Sequence, residues 1–321
     1  MQQKQNTAII LTNLGGPRSI DEVKEFLLDL LGDPNVIQLP FFLKPFQKLL
    51  AQVIVSRRLP TSVKLYQEIG GKSPLVEITQ IQAMRLEKRL GLKIFIFMNC
   101  GKPSSTELMQ ELNACGTKFN HFIVLPLFPQ YSTTTTKTSF EKITEFLSKT
   151  FPEAKTHFVR SYPDHPKFVQ AWTERIQRKI QHVQKPFKLI FSAHGIPESY
   201  VKKGDPYFEE TKQSVEAIMS NFPGQDYVLA FQSRFGKGKW LEPSTIQVVE
   251  ELGQGSRAVI VPISFVSDHV ETIHEIGIEI THLAEERGGK LYRVPGLNNS
   301  SLFIDCLEDL IIEKLKTINS V

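Results

Sequence analysis

The stretch Phe187–Tyr207, FKLIFSAHGIPESYVKKGDPY, decides how the rest of the chain is read. Its opening, Phe187–Phe191, is a short and largely apolar run, too short for a helix, and predicts a strand buried on both faces. Small residues, Ser192 and Ala193, close the run. His194 follows, and Gly195 and Pro197 turn the chain at once. Strands buried on both faces belong to parallel sheets covered by helices, and in such sheets ligands sit outside the carboxyl ends of the strands. His194 stands at such an end. Either it faces a ligand or it merely finishes the turn.

Composition narrows the function. The chain has 321 residues, 41% hydrophobic and 22% charged, which suits two domains or one large α/β unit. A net charge of +4 is mild, and no basic helix interleaved with aromatics is present, so no nucleic acid partner is expected. Cys100, Cys115 and Cys306 are scattered without CxxC or Cys/His zinc spacing, as expected of reduced thiols in a cytoplasmic protein. The N-terminal residues lack the apolar core of a signal peptide, and no apolar run reaches the ~20 residues of a membrane span. Membrane contact is therefore expected only at the periphery, on the inner face of the membrane.

The same strand–helix rhythm runs through the chain. Thr7–Leu14 predicts a strand ending in Gly15-Gly16-Pro17, which is either a tight turn or a close backbone approach to a flat or anionic ligand. Ser19–Leu31 has helical periodicity, with Ser19 and Glu22 spaced as a capping box. Val36–Leu59 is strongly apolar, broken by Pro40 and Pro45, and carries Lys44, Lys48, Arg57 and Arg58. It reads either as a buried helical hairpin or as an exposed apolar lip with Phe41 and Phe42 at its front. A Gly-Gly loop at 69–74 and a helix at Leu75–Leu90 follow. Further strands are expected at Ile94–Met98, His121–Leu127 and Thr156–Val159, with helices at Ser105–Ala114 and Phe140–Thr150. The hydroxyl run Ser132–Thr136 either caps the next helix or lines a polar pocket. In the second half strands are expected at Lys188–Ala193, Tyr227–Gln232, Ala258–Ile263 and Lys290–Val294, with a closing helix at Ser301–Lys316. Alternating strands and helices predict α/β architecture with parallel sheets.

The halves resemble each other. Thr12-Asn13-Leu14-Gly15-Gly16-Pro17 aligns with Ser192-Ala193-His194-Gly195-Ile196-Pro197, which pairs Leu14 with His194. Val124-Leu125-Pro126-Leu127 aligns with Ile260-Val261-Pro262-Ile263, after which the hydroxyl run pairs with Asp268-His269-Val270-Glu271. The second half thus bears the chemistry: Asp268, Glu271 and Glu275 fall on one face if the segment is helical, and His269 and His274 lie among them. Such a triplet is either a solvated acidic helix start or, with imidazole, a ligand set suited to ferrous iron.

The motifs NLGGP, SRRLP, IGGKSPL, PLFPQYS, FSAHGIPESYVKKGDPY, FQSRFGKGKWLEP and VPISFVSDHVET, in that order along nearly the whole chain, resemble the ferrochelatase family. The resemblance implies two similar Rossmann-like halves, each a parallel four-stranded sheet flanked by helices, with the porphyrin cleft between them. The first half is expected at 1–162 with the lip at 36–74. The second is expected at 163–321, its helix 301–316 packing back on the first. The activity implied is insertion of ferrous iron into protoporphyrin IX to give protohaem. His194 and Glu271 are implied as the catalytic and metal-binding pair, and Glu275, Asp268 and His269 as further metal-binding groups on a helix widened to a π-helix. Leu14, Tyr131, Ser132, Trp240, Phe41 and Phe42 are the expected porphyrin contacts. An apolar residue at Leu14 marks the protoporphyrin branch, since the coproporphyrin branch has Tyr there. Iron is expected as substrate, with no tightly bound cofactor and no iron–sulfur cluster. The chain departs from the family where Asn99-Cys100 replaces the usual Arg-Tyr, and where Ile246 replaces a frequent acid. Asn99 and Cys100 leave the alternative of a porphyrin- or haem-binding homologue without catalysis; a further alternative is a cobalt chelatase acting on a related tetrapyrrole.

Overall fold

The computed structural model describes residues 6–234 and 238–319. They fall into two units. The first comprises residues 6–128, 132–161 and 307–319, and the second comprises 129–131 and the described residues of 162–306.

Each unit is built on a parallel four-stranded sheet. In the first unit β1 (Thr7–Asn13), β2 (Ile94–Met98), β3 (His121–Pro126) and β4 (Lys155–Phe158) lie in the order β2-β1-β3-β4. In the second, β5 (Lys188–His194), β6 (Tyr227–Gln232), β7 (Arg257–Val261) and β8 (Lys290–Arg293) lie in the order β6-β5-β7-β8. The two orders are the same, which gives the aligned motifs a structural counterpart. Central strands β1 and β5 are buried along nearly their whole length, as continuous apolar runs require when helices cover both faces. One core gathers Ile10, Phe95, Phe97, Leu108, Phe122 and Val124, and the other Ile190, Ala230, Val249, Ile260, Ile276 and Leu291.

The helices follow the apolar periodicity closely: Leu75–Leu90 and Ser105–Ala114 have the expected bounds. The start of the first unit's opening helix differs. Residues Ile20–Glu22 form one tight 3₁₀ turn before Val23–Gly32, and Ser19 makes no cap. The Glu22 carboxylate is taken instead by Arg18, whose backbone N–H and guanidinium both donate to it, at 2.9 Å and 2.6 Å. Capping boxes do form at Ser104 with Glu107 and at Ser244 with Gln247.

The apolar segment is largely exposed on its own unit and is not a buried hairpin. Phe41–Phe46 makes a 3₁₀ turn that leads into the helix Gln47–Glu68. Gln47, Ala51 and Val55, four residues apart, form the face that packs inward. Phe41 is 87% exposed and Phe42 72%, and Leu43, Phe46, Leu49 and Val53 are exposed beside them. Lys44, Lys48, Arg57 and Arg58 are exposed too.

Both units also depart from the α-helix at the same place. After β3, Thr133–Lys137 is a π-helical turn capped by Ser132, whose hydroxyl accepts from the Thr134 backbone N–H at 3.3 Å. After β7, Glu271–Ile280 is a π-helix. The hydroxyl run thus caps, as one of its two readings held.

Of the two readings of Gly15-Gly16, the tight turn is the one with contacts in the structure, since other parts of the chain pack closely against it. Gly15 has φ +93°, and a methyl group there would lie 2.0 Å from the Cys100 carbonyl oxygen; at Gly16 it would lie 2.6 Å from Ser73 Cβ. The space beside this turn is filled by the protein itself. Gly15→Ala combines a forbidden φ with a backbone clash, and the expected loss is about 2 kcal/mol or more in urea unfolding. A loss below about 0.5 kcal/mol, the range of neutral surface changes, would contradict this packing.

Candidate active site

His194 is the last residue of β5, opposite Gln232 at the end of β6. Its backbone N–H donates to Ser264 Oγ at 3.0 Å, which ties the strand end to the loop after β7. Gly195 is needed next because a methyl group there would lie 2.8 Å from the Gln232 carbonyl oxygen and 3.3 Å from the Trp240 ring. With its backbone fixed, the imidazole points Nδ1 at Glu271 Oε2, 2.9 Å away. The His194 side chain keeps 38% of its surface exposed, so the ring is held on one side and open on the other.

Glu271 and Glu275 lie in the π-helix and meet at Ser233, the first residue beyond β6. Ser233 Oγ is 3.2 Å from Glu271 Oε2 and 2.6 Å from Glu275 Oε2, and the Ser233 backbone N–H donates to Glu275 Oε1 at 2.9 Å. Burial works against charge throughout this group. For His194 and Glu271 the mutual attraction and hydrogen bond outweigh it, so the imidazole is held above its ordinary pKa and the Glu271 carboxyl below its own. Glu275 goes the other way: burial and then the neighbouring Glu271 charge raise its pKa. An ionised carboxylate only accepts, so Nδ1 of His194 is the donor and Nε2 is left with its lone pair when the ring is neutral.

The sequence placed Asp268, Glu271 and Glu275 on one helical face and made all three metal ligands with His194 and His269. The structure separates them. Regular helical structure begins only at Val270, and Asp268 lies before it. Its carboxylate accepts from Arg293 Nη1 at 2.7 Å, Thr272 Oγ1 at 2.9 Å, the Gly296 backbone N–H at 3.2 Å and Asn298 Nδ2 at 2.8 Å. It is a filled acceptor that anchors the entry to the π-helix. His269 is buried, its ring centroid 4.5 Å from that of Phe265, and burial lowers its pKa. Among the described residues no three or more His, Cys, Asp and Glu side chains are assembled as a metal-ion site. His194, Glu271 and Glu275 are linked to one another through the Nδ1 contact and through Ser233.

The expected porphyrin contacts divide between the units. Trp240 is half-buried against Gly195 in the second unit, and there the Tyr131 backbone N–H donates to Glu210 at 2.7 Å. Leu14 is half-buried in the first unit, where Phe41 and Phe42 are exposed. Ser132 is 2% exposed and its hydroxyl accepts from the Thr134 backbone N–H. Asn99 and Cys100 belong to the first unit's interior. The Asn99 side chain accepts from Ser139 Oγ at 2.8 Å and donates to the Thr135 carbonyl at 3.3 Å, and burial pushes the Cys100 thiol up to about 12. Ile246 is exposed on the short helix Thr245–Glu250.

Sequence reasoning missed Ser233, Ser264 and Arg293. The rule that selected His194, a polar residue at the carboxyl end of a strand, also fits Ser233 after β6 and Arg293 at the end of β8. Residues 235–237, in the middle of the FQSRFGKGKWLEP motif, lie outside the described residues.

The Asp268 anchor has a pH signature. Burial opposes its charge, yet Arg293 and the hydrogen bonds hold its pKa below the unfolded value of about 3.9. Its stabilisation is complete above that value and drains as pH falls toward the lower folded value. Arg293→Met is expected to cost about 1–3 kcal/mol at pH 7, and the difference from wild type in urea unfolding is expected to shrink as pH falls to about 3. A difference that stays constant with pH would contradict the pairing.

The ferrochelatase family model matches residues 6–315. A ferrochelatase of Geobacter metallireducens is 40% identical over 315 residues, covering 96% of this chain and 98% of its own length. One from Aquifex aeolicus is 41% identical over 311 residues, covering 94% and 97%. Among solved structures, SirB from Bacillus subtilis with Fe3+ aligns at a TM-score of 0.60 and 11% identity over 96% of this chain and 95% of its own, a likeness of fold alone. With its twin parallel sheets and its match to family and relatives along almost all of its length, the chain belongs to the ferrochelatase family.

Proposed function

We propose that His194, oriented by Glu271, is the group through which this ferrochelatase takes a proton from the porphyrin as ferrous iron enters it. The observation that carries the proposal is the 2.9 Å contact between His194 Nδ1 and Glu271 Oε2. Insertion exchanges two pyrrole N–H protons for one divalent ion, so charge balances only if a base removes the protons. With Nδ1 donated to Glu271, neutral His194 offers Nε2 as that base or as a first ligand to the arriving iron. Glu271 then stabilises the imidazolium that results. Glu275, whose pKa is raised, is the next acceptor along the π-helix. Ring distortion on binding would expose pyrrole lone pairs, turning binding energy toward the transition state. Ferrous iron is a substrate here, and no resident cofactor or iron–sulfur cluster enters the scheme. Protoporphyrin IX is the proposed porphyrin, because Leu14 offers an apolar contact and no phenol. The full-length ferrochelatase relatives give no support to a non-catalytic haem binder or a cobalt chelatase.

The test is zinc or iron insertion into protoporphyrin, with coproporphyrin in parallel. His194→Ala is expected to lower kcat by about 10²–10⁴ while porphyrin fluorescence titration shows binding retained. Turnover near that of wild type would end the assignment. The pH profile supplies a second check. Glu271 holds the proton on His194 to higher pH, so activity that needs neutral imidazole rises above the ordinary imidazole value. Glu271→Gln is expected to move that rise to lower pH while lowering the maximum. A shift to higher pH would contradict the pairing.

The lip is proposed to cover apolar porphyrin surface or to rest on an anionic membrane face, its cations meeting propionates or headgroups. Among the described residues no helix is long and apolar enough to cross a membrane. Phe41 and Phe42 bury little, so Phe41→Ser with Phe42→Ser is expected to change stability by no more than about 0.5 kcal/mol. The same double variant is expected to raise KM for porphyrin and weaken sedimentation with anionic liposomes. Unchanged KM and unchanged sedimentation would remove the lip from both roles.

A further inference from the structure

Ser233 is held where a side chain is disfavoured. Its φ is +63°, a left-handed conformation that glycine adopts freely and that other residues adopt at a cost. A serine kept there points to a use for its hydroxyl, and the contacts show one. The backbone N–H of Ser233 fixes one oxygen of Glu275, and its Oγ lies against the other. The same Oγ lies against Glu271 Oε2, the oxygen that also receives His194 Nδ1. One residue therefore sets where both carboxylates stand relative to the imidazole. In this conformation the N–H and Oγ face the same carboxylate. Gln232, the preceding residue, adds its amide 3.5 Å from Glu275 Oε2.

We propose that Ser233 is a positioning residue for the metal substrate: it clamps Glu275 beside Glu271 so that the two carboxylates and His194 meet an incoming divalent cation together. This rests on the metal-insertion reading above and names the residue that makes its metal-facing side. The hydroxyl hydrogen serves one carboxylate at a time, and the shorter contact favours Glu275. Glu271 then keeps its negative charge for His194 and the cation. Without the hydroxyl the two carboxylates lose their shared donor, leaving Glu275 on the Ser233 backbone N–H and Glu271 on His194 with nothing to link them.

Two variants separate the hydroxyl from the backbone. Ser233→Ala keeps the disfavoured φ and loses the hydroxyl. Ser233→Gly relieves the φ, keeps the N–H to Glu275 and also loses the hydroxyl. In zinc insertion into protoporphyrin, both are expected to raise KM for zinc about tenfold or more and to leave porphyrin affinity within about twofold of wild type. The glycine variant is expected to melt no lower than the alanine variant. Zinc KM unchanged in Ser233→Gly overturns the proposal, and so does an equal loss for zinc and porphyrin, which marks a general structural role. A Co2+ titration of the metal-free protein, read by its absorption, gives a second measurement that needs no turnover. If wild type inserts no metal at all, the catalytic reading fails on its own. The titration then still decides: weaker Co2+ binding by Ser233→Gly upholds the clamp, and equal binding overturns it.

Discussion

A single hydrogen bond between an imidazole and a carboxylate organises the second unit's working end. Burial works against charge on both His194 and Glu271, and each offsets that cost for the other. Held 2.9 Å apart, each keeps the other in its charged or donating form. Much of the neighbouring architecture fixes that distance. Ser264 holds the His194 backbone, Gly195 lets β5 approach the Gln232 carbonyl, and Asp268 with Arg293 anchors the entry to the helix that carries Glu271. Gly277 contributes from within that helix, since a methyl group there would lie 3.3 Å from Arg293 Nε and crowd its path to Asp268.

Much of this was legible in the sequence, and the reason is periodicity. Continuous apolar runs such as Ala8–Leu11 and Leu189–Phe191 admit few structures other than strands buried on both faces, so the parallel sheets followed directly. His194 was legible because a strand end followed by glycine is a place where side chains leave the sheet. Side-chain partners across the chain were not legible. Nothing local in Asp268 distinguishes an acid that faces a cation from one filled by Arg293, Asn298 and Gly296, residues 25 to 30 positions away. Ser19 and Glu22 show the same limit at short range, where spacing suggested a cap but Arg18 competed for the carboxylate and won.

The departure at Asn99-Cys100 also has a physical reading. Asn99 is spent on the first unit's own π turn, where it bridges the Thr135 carbonyl and the Ser139 hydroxyl, and Lys142 donates to its backbone carbonyl at 2.7 Å. Lys142 in turn pairs with the buried Asp33 carboxylate at 3.0 Å. Asn99 is thus interior polar packing with satisfied partners, and Cys100 beside it is buried. A long cationic side chain at position 99 would have to leave this network or dismantle it.

The π turn that follows the third strand of each sheet separates architecture from chemistry. Aligning Val124–Leu127 with Ile260–Ile263 sets Thr135 opposite Glu271 and Ser139 opposite Glu275, and Leu14 stands opposite His194. The strand registers set Asn99 opposite Gln232, and Asn99 touches Ser139 as Gln232 approaches Glu275. The first unit thus carries the same widened turn and the same side-chain bridge to it, but with hydroxyls and an alkyl group in place of acids and imidazole. The widened turn therefore forms after the third strand whether or not acids stand on it. The widened turn is thus doubled while acids and imidazole stand together on one copy, so the turn by itself does not dictate the chemistry it carries.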